Sequence, residues 1–186
     1  MTGQNRWFAG LLDGSPWLIA HALYAAGRAF IQADPQRALR TLTEALAYAR
    51  THRLRAFEAI IAREAAGLEA IHGDLDTALT LFDTTIDSQF AGGGVTYLAA
   101  TIATLAVLFD RLDRPDIAAT IYGTTHHAGI ALVIGLPEAL DHLRATLGDA
   151  AFEDCVATGA AMDPGEAVRY VRAQIQTARH HLPAPT

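Results

Sequence analysis

From Ser15 onward, apolar residues recur three and four positions apart over most of the chain, the spacing that gathers side chains on one face of an α-helix. No run alternates polar and apolar residues as a half-buried strand requires. Helix starts are marked by Ser15-Pro16, Asp34-Pro35 and Asp163-Pro164-Gly165-Glu166. Each is an N-cap residue followed by proline at the first helical position, and Glu166 is placed to close a capping box. Together these signals predict an all-α chain of about nine helices, over roughly 16–32, 35–51, 54–72, 75–89, 95–111, 115–127, 137–147, 149–160 and 164–181.

A repeat lies within this pattern. The segments Ala33–Leu42, Gly73–Phe82 and Asp113–Tyr122 align at an interval of 40 residues, with Ala38, Ala78 and Ala118 in register, and likewise Leu42, Phe82 and Tyr122. A small residue followed four positions later by a large one suits the close approach of two helices in a hairpin. Each hairpin alone leaves an apolar face open, so stacked neighbours complete the core. The expectation is one domain over residues 15–182, with an N-terminal segment at 1–14 and a tail at 183–186. Residues 15–128 would form three hairpins of 40-residue period, and 129–182 a set of C-terminal capping helices. In the last part Leu140, Leu143 and Leu147 line one helix face, Gly148 is placed to end that helix, and Val168, Val171, Ile175, Ala178 and Leu182 form a near-heptad stripe.

Composition narrows the possible chemistry. Of 186 residues 51% are hydrophobic and mean hydropathy is +0.18, so disorder is excluded and much apolar surface must be buried. The longest apolar stretch, Tyr97–Phe109, falls short of the roughly 17–25 residues needed to span a bilayer. The N-terminus has no secretory pattern and Cys155 is the one cysteine, so a cytoplasmic location is expected. The net charge is −6 and all 14 basic residues are arginine. Without lysine there is no Walker-A phosphate lysine and no Schiff-base chemistry. An acidic chain with dispersed arginines lacks the basic face that a phosphate backbone demands, so neither nucleic acid nor membrane is expected as a partner.

The remaining candidates read as structural. His126-His127 and His180-His181 are adjacent pairs that point about 100° apart on a helix, so neither chelates by itself. With His142, these histidines read as helix ends, where positive charge is favourable. Gly92-Gly93-Gly94 lacks a lysine and a preceding strand and reads as a hairpin linker. Cys155 beside Asp154 and Glu153 is poorly placed for reactivity. Glu64, Glu69, Asp74 and Asp76 read as solvated surface charge. No catalytic, cofactor or metal site is expected.

Three segments carry a family resemblance: Ala118-Ala119-Thr120-Ile121-Tyr122-Gly123, then Leu140–Phe152, then Ala157–Val168. In this order they resemble the C-terminal tetratricopeptide-like helical domain of LuxR-type and adenylate-cyclase-linked bacterial regulators with a signal-transduction ATPase core. The resemblance covers about residues 15–182 and is concentrated after Ala118. It implies a tetratricopeptide-like helical-hairpin repeat (an α-α superhelix) that contacts protein within a signalling or transcriptional regulator. The ATPase and helix-turn-helix modules of such regulators have no counterpart here, so the resemblance implies neither ATP nor DNA binding for this chain.

Placing Ala38, Ala78 and Ala118 at the small-residue position of a tetratricopeptide second helix assigns the inner face of the first helices. It comprises Ala20, Leu23, Gly27 and Phe30, then Ile60, Arg63, Gly67 and Ala70, then Ala100, Ala103, Val107 and Asp110. Leu23, Gly27, Phe30, Ile60, Arg63, Gly67, Val107 and Asp110 are accordingly the candidate partner-binding residues. The face is mostly apolar, so the expected ligand is an amphipathic helix, from a neighbouring ATPase or effector domain, a second copy, or this chain, where Trp7–Leu12 qualifies. Two alternatives stay open: these residues are ordinary core, or the chain senses a small apolar effector enclosed by the repeats or by the Gly129–Gly135 connector.

Overall fold

The structure, a computed structural model, describes residues 15–93, 95–125, 133 and 135–182, without the side chains of Val95 and Thr96. Among the described residues there are nine α-helices and no strand: α1 (Pro16–Phe30), α2 (Pro35–Thr51), α3 (Arg55–His72), α4 (Leu75–Ala91), α5 (Val95–Arg111), α6 (Pro115–Gly123), α7 (Leu136–Leu147), α8 (Asp149–Ala160) and α9 (Pro164–His180). None of them is long and apolar enough to cross a membrane. By their contacts they fall into two compact units, Met1–Gly73 and Asp74–Thr186, whose boundary lies at the turn of the second expected hairpin.

Caps explain most boundaries. The Arg37 amide donates to the Asp34 carboxylate at 2.9 Å, and Asp163 and Glu166 close a reciprocal capping box. The Thr77 amide donates to Asp74 at the start of α4 and holds that carboxyl below its usual range. Ser15 departs from expectation: proline follows it, yet its hydroxyl makes no capping hydrogen bond. Helix α6 stops at Gly123, four residues before the expected 127, where Thr124 and Thr125 turn their hydroxyls back onto the carbonyls of Ile121 and Tyr122. Gly148, at φ +77°, ends α7 and begins α8, a backbone conformation that suits glycine.

In the first unit α2 lies between α1 and α3. Its stripe of Ala38, Leu42, Ala45 and Ala49 is wholly buried. Gly27 permits the close approach of α1, since a Cβ there would sit 2.8 Å from Leu42 Cδ2. In the second unit α5 is the central helix, packed by α4, α6 and α7 and buried along Leu105–Phe109. Helices α6 and α8 cross at backbone contact: a Cβ on Gly123 would fall on the Val156 carbonyl, and one on Gly159 on that of Thr120. Helix α9 returns antiparallel along α4, burying Val171 and Ile175 and pairing Arg179 with Asp76 and Arg172 with Asp83 and Asp87. Asp76 is thus part of an interhelix seam.

Candidate functional site

Only Ala20 and Gly27 of the apolar helix α1 are buried. Along the side of α1 that meets α3, residues 17, 21, 24 and 28 form one stripe, spaced four, three and four apart. The Trp17 and His21 rings stack 5.3 Å apart, and both approach Phe57 of α3, at 6.0 and 5.8 Å. Tyr24 meets Phe57 edge-on at 5.5 Å. One turn further on, Arg28 lies 3.8 Å from Glu64, whose other oxygen takes Arg63 at 3.0 Å. Contacts that advance together along both helices make α1 and α3 parallel. The Glu64 side chain is 11% exposed and that of Arg63 20%. Burial pushes the Tyr24 phenol above its usual range and Glu64 adds to the rise, while Arg28 and Arg63 oppose it.

Of the sequence-derived residues of this unit, those on α3 lie beside the cluster, whereas Leu23, Gly27 and Phe30 fall on the side of α1 turned toward α2 and not on the side that meets α3. Leu23 and Phe30 on α1, and Ile60, Arg63 and Gly67 on α3, are half-buried, and Gly27 is buried against α2. The Arg37 guanidinium covers Phe30, 3.8 Å from the ring centre. Ile60, Arg63, Gly67 and Ala70 share one face of α3, and all four keep partial contact with solvent. Glu64, expected to be a solvated surface charge, is instead the shared partner of two arginines.

Val107 and Asp110 belong to the second unit, where their face of α5 is covered by α7. Val107 packs with Ala103, Val133, Leu136 and Ala139, and Leu140 closes on the same cluster. At the far end of the contact the His142 Nδ1–H donates to Asp110 at 2.8 Å. His142 therefore lies within α7 as an interhelix donor and does not end a helix. Thr146 Oγ1 stands 3.4 Å from His142 Nε2. The order carboxylate, imidazole, hydroxyl is that of a hydrolytic triad, but 3.4 Å exceeds the roughly 2.6–3.2 Å of an activated nucleophile, and the His142 side chain is 61% exposed. What these groups accomplish here is to fasten α7 to α5.

Other expected features are scattered. The Nδ1–H groups of His180 and His181 donate to the carbonyls one turn back, of Gln176 and Thr177. Cys155 is half-buried in α8. His126, His127, the segment Trp7–Leu12, and all of the Gly129–Gly135 connector except Val133 and Gly135 lie outside the described residues. Among the described residues no three His, Cys, Asp or Glu side chains converge in a metal-binding group. Sequence reasoning passed over Trp17, His21, Tyr24, Arg28 and Phe57, although the spacing of the first four would have put them on one stripe. No family model matches the chain, and neither does any curated protein or solved structure.

Proposed function

We propose that this chain is a non-catalytic protein-interaction module of a bacterial signalling or transcriptional regulator, built as a tetratricopeptide-like stack, that receives an amphipathic helix on the α1–α3 face. The observation that carries this reading is the seating of α7 on α5. There an amphipathic helix of the chain places Leu136, Ala139 and Leu140 on the face of Ala100, Ala103 and Val107. At the 40-residue interval that face corresponds to Ile60, Arg63, Gly67 and Ala70, which no helix of the first unit covers fully. A half-open, mostly apolar helix face flanked by an exposed Trp17 (52%) is the kind of surface that marks a protein contact. The sequence resemblance to regulator domains supports a partner helix on a neighbouring ATPase or effector domain.

Photo-crosslinking tests the proposal. A benzophenone amino acid placed at position 60 or 70 in cells is expected to yield one discrete adduct with another protein, identified by mass spectrometry. The same group at exposed Asp154 of α8 is expected to yield none. Equal adduct patterns from all three positions would overturn the proposal.

A further inference from the structure

We propose that the helix received by the α1–α3 face presents a carboxylate side chain to the cluster of Arg28, Glu64 and Arg63. The inference rests on the helix-in-groove reading and adds to it the polar chemistry of the partner.

The cluster holds two guanidiniums against one carboxylate. These three are also the charged groups that act on the Tyr24 phenol. Arg28 is half exposed, at 50%, and water stabilises its charge in the free protein. An apolar helix laid over Ile60, Gly67 and the Tyr24 edge would strip that water from an uncompensated cation, and burying an unpaired charge is costly. A carboxylate on the incoming helix offsets the cost by accepting charge-assisted hydrogen bonds from Arg63 or Arg28, whose planar forks have donors left beyond those given to Glu64. The in-chain case follows the same logic with the sign reversed. The α5 face carries the acidic Asp110, 10% exposed, and the docked α7 meets it with an imidazole N–H. In both places the fixed charge of the repeat face sets the polar group that the docked helix must bring. Arg63 stands at the position equivalent to Ala103 and Ala70 at that equivalent to Asp110, so the α1–α3 face has exchanged an acceptor for donors.

The test is a displayed library of 14-residue peptides that keeps the apolar spacing of α7 (Leu136, Ala139, Leu140, Leu143) and randomises the rest, selected on the full chain. Enriched peptides are expected to carry Asp or Glu at one fixed position beside the apolar stripe. Changing that residue to its amide is expected to weaken binding about tenfold or more, a loss of at least about 1.4 kcal/mol. In an Arg63→Met variant the acid and the amide peptide are expected to bind alike. Binders without acidic enrichment, or an amide swap without effect on the unaltered protein, overturn the carboxylate inference and leave helix binding standing. Failure to select any binder overturns both. Concentration-dependent dimerisation in sedimentation, abolished by Arg63→Glu, would assign the face to a second copy and overturn the proposal of a separate partner.

Discussion

A single methyl group added at Gly159 is expected to cost the second unit at least about 3 kcal/mol, the upper end of what over-packing usually costs. The Cβ of Gly159→Ala would land on the Thr120 carbonyl, with the Thr124 amide and Gly123 close behind. These are backbone atoms, so no rotamer change relieves the clash, and α8 must move away from α6. Gly123→Ala meets the Val156 backbone from the other side of the crossing and is expected to do comparable damage. On helix propensity alone both changes would be favourable, by about 1 kcal/mol. The sign of the effect therefore separates packing from propensity. Denaturant unfolding followed by circular dichroism reads it, and an unchanged or raised midpoint for either variant would mean that α6 and α8 are not in backbone contact.

The second large effect is expected at Leu143. Its side chain is 1% exposed in the middle of α7, the helix that covers α5 and also packs on α6 and α8. Truncation to alanine removes three buried carbons and leaves a cavity, at a cost of about 2–5 kcal/mol. Part of that loss should appear as local detachment of α7, because exposed ion pairs and a single solvent-facing imidazole contact contribute little beside the apolar seam. Faster amide exchange at Leu140 and Arg144 of α7 in Leu143→Ala than in the unaltered chain, with Ala103 and Val107 of α5 still protected, is the expected signature. Protection lost evenly over all of unit two would instead mean that α7 and α5 unfold as one body.

Those two effects also mark what could be read from the chain and what could not. Helix type and most boundaries were legible, because proline at the first turn, Asp34, Asp163 with Glu166, and Gly148 act locally. The end of α6 was misjudged, since apolar spacing continues past Gly123 while Thr124 and Thr125 compete for the carbonyls of the last turn. Gly123 and Gly159 were visible as glycines, but their pairing across a helix crossing is a tertiary fact with no local trace. The same distinction governs the candidate site. Periodicity picked out the Ile60, Arg63, Gly67 stripe on α3, and the structure leaves it half open. It could not tell that Glu64, one position round the helix, turns toward α1 and takes Arg28, because a polar residue facing a neighbouring helix and one facing water have the same local pattern. For the same reason His142 read as a helix end, when its partner, Asp110, lies 32 residues away on another helix.

The central claim is that the α1–α3 face receives a helix and is not hidden core, and a paired measurement on Ile60→Gln/Ala70→Gln tests it most directly. Both side chains are half-buried, so the account predicts a cooperative helical melt within a few degrees of the unaltered chain. The same variant should bind a peptide selected on the full chain at least about tenfold more weakly. Loss of the folded state would show these side chains to be core, and unaltered peptide affinity in a folded variant would move the binding surface elsewhere; either result contradicts the account.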